Sequence, residues 1–469
     1  MRPVLLTIMT CLAIRAGQTT PAELLRTGQF REALAAIQAD LKSRPNDPRL
    51  LSMQGIVLAQ LGNEAAALQS YRAALVASPD YLAALEGAAQ IEYKNDDSEA
   101  GTHLDRLLAL NPNDATAHAM RATLEFRSGQ CEQSVTDFAA AAEVIEKQPD
   151  ALRQFGGCLF HLGHFSDSEK VFAKLLAAHP DDLRAAYGAA ASQLETGHFE
   201  AAVGTLKPFS SDPTALALSA SALEKLGRIP EAVADLRSAL LAEPTRESLY
   251  TQFTELCFTY KSFQAGIDVI NAGLTQLPRS SRLYVLRGVL LVQQGNYELA
   301  DQDFAKAETL NPNEPTSADA AILSLVQANK LDEAELALNQ KLQQHPRDPQ
   351  LIYFLADVLG RKGDSAGSMV AARKAVALRP DFPLAHDLLA RLYLQTGDVD
   401  GAIAECKAAL KTDPQDEAAL YRWLRILKAR HADSDATLIT DLSKRWAQAK
   451  QNQKDDELRQ SQFRIITSK

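Results

Sequence analysis

The sequence predicts an all-α solenoid of about twelve helix-turn-helix units, and three regular features support this fold class. The first is a small residue that recurs every 34 residues, with single steps of 33 and 30. A period in this range indicates stacked supersecondary units rather than one globular core. The small residues are Ala33, Ala67, Ala100, Ser134, Ser168, Ala202, Ala232, Gly266, Ala300, Ala334, Ser368 and Ala402.

The second feature is a large apolar residue four positions after the small one, as in the pairs Ala33 and Ile37 or Ala300 and Phe304. Residues i and i+4 lie on one face of a helix, so each unit presents a small notch beside a large side chain. The notch lets a neighbouring helix approach closely, and the large side chain fills the space in the neighbouring unit.

The third feature is a glycine about five residues before the notch and a proline about twelve residues after it. Glycine takes the left-handed conformation that ends a helix, and proline cannot continue one. Each unit is therefore helix A, a glycine turn, helix B and a proline turn. In three units the turn has Asn95-Asp96-Asp97, Lys261 or Asn329 instead of glycine; asparagine tolerates the left-handed region, and lysine enters it reluctantly.

This unit resembles the tetratricopeptide repeat, and the best copies are residues 48–79 and 281–312. The resemblance extends from about residue 21 to 432. Within the family, the chain resembles exported bacterial arrays. It implies antiparallel helix pairs that stack into a right-handed superhelix with a concave groove.

The sequence also predicts how the array is divided and closed. Pro208 interrupts helix B of the sixth unit, so residues 208–213 are a candidate hinge between arrays at 21–207 and 214–432. Unbroken stacking is the alternative. Residues 433–469 are predicted to form a capping helix and a basic tail, because Leu438, Ile439, Leu442 and Trp446 make one apolar stripe. The tail beyond Gln451 is expected to fray.

Residues 1–17 resemble a secretory signal, with a positive charge, a short apolar run and small residues after it. The run is too short for a transmembrane anchor. We therefore expect an exported protein, periplasmic or extracellular. The alternatives are an apolar cap on a cytoplasmic protein and a lipid anchor at Cys11.

No motif for catalysis, a cofactor or a metal is present, and a small-molecule substrate is not expected. His161, His164 and His198 recur near turns, but scattered surface histidines explain them better than a metal site. A net charge of −10 argues against a nucleic-acid partner. Cys257 and Cys406 are expected to be buried free thiols, and whether Cys131 pairs with Cys158 in the next repeat is left open.

The resemblance implies that helix A of each repeat lines the groove, and the last three repeats concentrate aromatic and charged residues there. These candidate partner-binding residues are Tyr353, Asp357, Asp387, Arg391, Tyr421 and Arg425. Such mixtures are typical of interaction hot spots, and ordinary groove polarity is the alternative. The predicted function is a non-enzymatic scaffold that binds extended peptides or protein surfaces. The alternative is an accessory subunit of a cell-envelope machinery for polysaccharide export or assembly.

Overall fold

The computed structural model describes residues 20–312, 315–430 and 435–467, and within these ranges every regular element is a helix. By their contacts the residues form two compact units, one ending at Thr205 and one beginning at Leu206. In each unit the helices follow one another as antiparallel A and B pairs, which confirms the predicted class of stacked helical repeats.

The first unit contains six such pairs. Its A helices are α1 (Pro21–Arg26), α3 (Pro48–Gln60), α5 (Leu82–Lys94), α7 (Ala115–Arg127), α10 (Pro149–His161) and α12 (Leu183–Glu195). Its B helices are α2 (Phe30–Leu41), α4 (Glu64–Ala77), α6 (Glu99–Leu110), α8 (Cys131–Ala140) with α9 (Ala142–Ile145), α11 (Phe165–Ala178) and α13 (Phe199–Leu206), the last of which ends at the unit boundary.

The second unit contains seven pairs. Its A helices are α14 (Pro213–Lys225), α16 (Glu247–Thr259), α18 (Ser281–Gln293), α20 (Pro315–Gln327), α22 (Pro349–Arg361), α24 (Pro383–Gln395) and α26 (Glu417–Arg430). Its B helices are α15 (Ile229–Ala242), α17 (Phe263–Gln276), α19 (Tyr297–Leu310), α21 (Leu331–Gln344), α23 (Ser365–Leu378), α25 (Val399–Thr412) and α27 (Ala436–Thr467).

The notch residues lie in the helix contacts as their spacing predicts. All twelve are buried, and large partners such as Phe138 and Phe304 are buried beside them. A Cβ atom on Gly288 of α18 would lie 2.5 Å from the Phe304 ring, so the two helices touch closely. Where the notch is serine, its hydroxyl donates to a carbonyl of the facing helix A; Ser168 Oγ, for example, is 2.8 Å from the Gly156 carbonyl oxygen. This bond satisfies the buried hydroxyl.

The turns also follow the prediction. Nine turn glycines have a positive φ, and the three residues that replace glycine do as well, with φ of 53° at Asp96, 50° at Lys261 and 59° at Asn329. In each of these turns a residue in the left-handed conformation therefore ends helix A, whether it is glycine or not.

Three local features depart from a regular repeat. Helix B of the fourth repeat breaks at Ala141 into α8 and α9. Helix α13 ends at Leu206, and one 3-10 turn, Lys207–Phe209, follows it. Helix α27 continues to Thr467, and fraying beyond Gln451 stays a prediction. The hinge at 208–213 stays a prediction.

The predicted stripe of α27 packs against α26. Leu442 is fully buried, and Leu438, Ile439 and Trp446 are partly buried in the same apolar cluster as Leu420 and Trp423. Helix α27 therefore covers the last repeat of the second unit, and it also contacts α15.

A disulfide joins Cys131 at the start of α8 to Cys158 in α10, with the two Cα atoms 5.1 Å apart. Cys257 and Cys406 are buried free thiols, as predicted. The predicted signal at residues 1–17 lies outside the described residues. Within the described ranges, no helix combines the length and the apolar character that crossing a membrane requires.

Candidate partner-binding site

The six candidate residues lie on three consecutive A helices of the second unit, two on each helix. Tyr353 and Asp357 are on α22, Asp387 and Arg391 on α24, and Tyr421 and Arg425 on α26. Each pair is four residues apart and shares one helix face. Asp348 fixes the start of α22 by accepting hydrogen bonds from two backbone N–H groups, and Asp416 caps α26 in the same way through Ala419.

A cavity of about 640 Å³ lies between α24 and α26. Three of the six candidates, Arg391, Tyr421 and Arg425, line it. The other lining residues are Leu394, Gln395, Glu417, Ala418 and Arg422. The structure therefore brings half of the predicted residues into one concave surface, whereas Tyr353, Asp357 and Asp387 do not line it.

Asp387 is held within the protein by two arginines. Its carboxylate forms an ion pair with Arg422 of α26 and lies 3.5 Å from Nε of Arg391 on its own helix. Arg422 is mostly buried and the Asp387 side chain is only 21 % exposed. Asp387 is thus placed to position the arginines at the cavity wall.

Tyr353 is half-buried beneath the same charges. Its ring centroid is 5.1 Å from that of Phe382, so its main contacts are internal. Burial raises the pKa of Tyr353, and the neighbouring carboxylates of Asp357 and Asp387 raise it further. Asp357 itself pairs with Arg361 one turn along α22, at 2.9 Å. These residues are near the cavity but are already engaged.

One aromatic wall of the cavity is supported by α27. The Tyr421 side chain is 47 % exposed, and its ring centroid lies 5.6 Å from that of Trp446. The indole N–H of Trp446 donates to a carboxylate oxygen of Glu417 at 2.9 Å. The ammonium group of Lys450 lies 5.1 Å from the centre of the Trp446 ring.

The cavity wall carries three guanidinium groups and one carboxylate, so it is locally positive. Arg422 is neutralised by Asp387, and Glu417 is engaged by Trp446. Arg391 is about half exposed and has only the longer contact with Asp387. Arg425 is exposed and forms no hydrogen bond or ion pair with the residues that the structure describes.

The sequence reasoning missed Arg422 and the contribution of Trp446. Arg422 stands 35 residues after Asp387, one more than the repeat period, so comparing equivalent positions does not pair them. Trp446 was assigned only to the cap, because its spacing with Leu442 and Leu438 indicates an apolar stripe.

The described ranges contain no group of three or more side chains with the geometry to hold a metal ion. Of the three histidines considered in the sequence, His198 has its Nδ1 atom 3.0 Å from a carboxylate oxygen of Glu169. His161 and His164 are exposed or nearly so.

Comparison with known proteins shows which families and relatives this chain is similar to. A family model described as "Cilia and flagella-associated protein 70 C-terminal domain" matches residues 181–422, about half of the chain. A second model, described as "Tetratricopeptide repeat", matches residues 23–81.

Two bacterial relatives are similar over part of the chain. Protein FlbA of Caulobacter vibrioides is 29 % identical over 160 residues, which cover 34 % of this chain and 27 % of FlbA. Cellulose synthase operon protein C of Pseudomonas fluorescens is 27 % identical over 159 residues, which cover 25 % of this chain and 12 % of that protein. The chain thus matches about a quarter or less of the length of these relatives.

Among solved structures, yeast Tom70 is similar over 94 % of this chain and 95 % of its own chain, with a TM-score of 0.44 and 17 % sequence identity.

Proposed function

The chain belongs to the tetratricopeptide repeat family, and from this premise we propose that it is a non-enzymatic scaffold that binds a protein partner through the A helices of its last repeats. The observation that carries the proposal is the cavity between α24 and α26, which is lined by Arg391, Tyr421 and Arg425. Its volume of about 640 Å³ is in the range of sites that hold small groups or several side chains.

The residues at this surface have the properties that favour a protein partner. Arginine and tyrosine are enriched at the energetic centres of interfaces, and tyrosine loses little conformational freedom on binding. Arg425 needs no internal bond to be broken before it contacts a partner. Tyr421 offers an exposed ring that is held from behind by Trp446. The Tyr421 ring is therefore held in place before a partner arrives, which lowers the cost of association.

The test is the double substitution Arg391→Ala with Arg425→Ala. We expect it to weaken capture of a partner from the native source by about 2 kcal/mol or more, because two contacts at the centre of the surface are removed. Helicity should not change, since both side chains are largely in solvent. The matched control is Arg153→Ala in the first unit, where Arg153 is already paired with Asp150 and Asp182. A partner lost with Arg153→Ala and kept with the double variant would contradict the proposed site.

Export is the second part of the proposal. Two observations support it: the apolar run that begins at Val4, and the disulfide between Cys131 and Cys158. Disulfides persist in oxidising compartments and are rare where thiols are kept reduced. We expect protein purified from its native source to lack Met1 to about Ala16, as measured by intact mass. An intact Met1 on protein from the cytosolic fraction would contradict export.

A role beside a polysaccharide machinery of the cell envelope is the second candidate. It is supported by the similarity to a protein named for a cellulose synthase operon, which covers 25 % of this chain. Capture from the envelope fraction separates the two: co-purification of polysaccharide-synthesising or exporting subunits, lost with the double arginine variant, favours this role. Capture of other proteins alone favours a general scaffold.

A further inference from the structure

We propose that the cavity between α24 and α26 binds the acidic side chains of an extended protein segment. The inference rests on the proposed function, because it assigns a chemistry to the partner of that same surface. It follows from the charges at the cavity, from the shape of its walls and from the charge of the chain as a whole.

The charges at the cavity leave a positive excess that internal pairing does not remove. Asp387 forms an ion pair with Arg422 across the two helices. Arg391 then shares the same carboxylate at 3.5 Å, and Arg425 has no partner among the described residues. Glu417 accepts the Trp446 N–H, which orients that carboxylate toward the indole. Two guanidinium groups thus remain available to a ligand.

Guanidinium groups bind carboxylates with two parallel hydrogen bonds, which gives the pair both strength and a defined geometry. Arg391 and Arg425 stand on neighbouring helices at equivalent positions of consecutive repeats, 34 residues apart. An extended segment that crosses from α24 to α26 can therefore meet them in succession with separate acidic side chains. Asp387 acts as a positioning residue, because it holds Arg422 and Arg391 at the wall.

The remaining walls suit the backbone and carbon atoms of a peptide. Leu394 and Ala418 add apolar surface, and Tyr421 presents its ring beside them. Tyrosine gives large contact area at low entropic cost and a hydroxyl that can bond a peptide group. A cavity lined by both apolar groups and arginines fits amino-acid side chains better than a fully hydrated ion.

The overall charge argues for an acidic protein segment rather than a nucleic acid. The chain has a net charge of −10, so a long phosphate backbone is repelled outside the cavity. An acidic peptide of a few residues is short enough to place its charges at the positive cavity alone, since interactions with more distant charges are screened within about 8–10 Å at ordinary ionic strength.

The chain carries its own reporter of binding. It has two tryptophans, Trp423 in the core and Trp446 against Tyr421 at the cavity wall. We would titrate the full chain with a short peptide that alternates glutamate and alanine, acetylated and amidated so that it has no terminal charge, and follow tryptophan emission. The same peptide with glutamine in place of glutamate, and an oligouridine long enough to extend beyond the cavity, serve as comparison probes. The variant Trp446→Phe identifies the source of the signal.

We expect the glutamate peptide to bind at least about tenfold more tightly than the glutamine peptide or the oligouridine. Arg391→Gln with Arg425→Gln should weaken that binding by about tenfold or more. The matched control is Lys374→Gln with Lys411→Gln, which removes the same charge from exposed positions on α23 and α25 outside the cavity. This control should change binding less than about twofold, since neither lysine lines the cavity and exposed charges are screened.

Three outcomes would overturn the inference: equal binding of the glutamate and glutamine peptides, equal loss with the lysine control, or tighter binding of the oligouridine. The proposed function has a separate test. If native partner capture needs Arg391 and Arg425 but the glutamate peptide does not bind, the site stands and its assignment to acidic segments is wrong. If capture does not need these arginines, the site itself is wrong.

Discussion

Gly156 and Gly157 are adjacent in α10, yet a side chain at each would meet different surroundings. A Cβ atom on Gly156 would lie 2.8 Å from the Phe172 ring, which is buried between the helices of the fifth repeat. A Cβ atom on Gly157 would have no atom within 4 Å. At Gly156 glycine is required because the Phe172 ring leaves no room for a side chain. At Gly157 glycine affects only the stability of the helix.

We expect Gly156→Ala to destabilise the fifth repeat by about 1–3 kcal/mol, because the added methyl forces the Phe172 ring to move in a packed contact. Gly157→Ala should stabilise it by about 0.5–1 kcal/mol, because alanine restricts the unfolded chain and favours the helix. Hydrogen exchange of α10 and α11 measures both effects locally. Equal changes of the same sign would contradict the packing argument.

At this scale the sequence predicted positions better than contacts. The 34-residue spacing placed Tyr353, Asp387 and Arg391 on the A helices of their repeats, where the structure has them. It did not reveal that Asp387 pairs with Arg422 or that Tyr353 packs on Phe382. Both contacts depend on how long side chains bend between repeats, and a periodic pattern fixes the direction of the Cβ atom but not the rest of the side chain.

At the scale of the element, a recurring hydrogen bond ties the start of helix A to the preceding turn. The residue six positions after the turn proline bonds the carbonyl oxygen of that proline. The pairs are His118 with Pro112, Tyr250 with Pro244, Tyr284 with Pro278 and His386 with Pro380. The turn proline lies between two helices, so its carbonyl oxygen has no partner within a helix. This hydrogen bond supplies one.

His386 makes this bond in a charged form. Its Nε2 atom is 2.9 Å from the Pro380 carbonyl oxygen, and its Nδ1 atom is 2.6 Å from a carboxylate oxygen of Glu405. Both neighbours are acceptors, so both ring nitrogens must donate, which requires the imidazolium. The hydrogen bond to Glu405 is the main reason why the pKa of His386 is raised above its ordinary value near 6.5, and the Pro380 carbonyl adds to the effect.

We predict that this contact stabilises the last repeats at low pH and weakens as pH rises. A cation whose pKa is raised in the folded state gives its full stabilisation below the unfolded pKa and loses it as pH passes the folded one. As pH rises from about 6 through the raised folded pKa, the loss should be about 1.5–3 kcal/mol, the range for a hydrogen bond to a charged group.

The measurement is the denaturation midpoint of the wild type and of Glu405→Gln across that pH range, with the His386 pKa followed by NMR. The variant should have a lower His386 pKa and a flatter profile. A difference between the two proteins that does not change with pH would contradict the assignment.

The order of elements was largely predictable, and the exceptions have physical causes. The twelve notches, the glycine turns and their substitutes at Asp96, Lys261 and Asn329 follow from local rules. The length of α27 does not, because residues 450–457 are all polar and interrupt its apolar stripe. It is supported instead by side-chain bonds four residues apart, Gln448 with Asn452 and Gln451 with Asp455. A helix that is polar on every side gives no periodic signal.

At the scale of the whole molecule, the disulfide is a cross-link between neighbouring repeats in a chain built from short-range contacts. It joins α8 to α10 across 27 residues, within the first unit. In a repeat array each unit contacts mainly its neighbours, so stability is set by local terms and their coupling along the chain. The effect of a substitution on local stability should therefore decrease with distance along the sequence from the repeat that carries it.

We expect reduction of the disulfide, or the substitution of Cys131 and Cys158 by alanine, to destabilise the fourth and fifth repeats by about 3.5 kcal/mol, the loop-closure value for a segment of this length. Hydrogen exchange should accelerate in α8, α9 and α10, less in α7 and α11, and not in residues 206–467. Reductant added to the alanine variant is the control and should have no further effect, since Cys257 and Cys406 are already free thiols. Uniform loosening of both units would contradict the nearest-neighbour coupling on which this prediction depends, and no change in α8 and α10 would contradict a stabilising role for the cross-link.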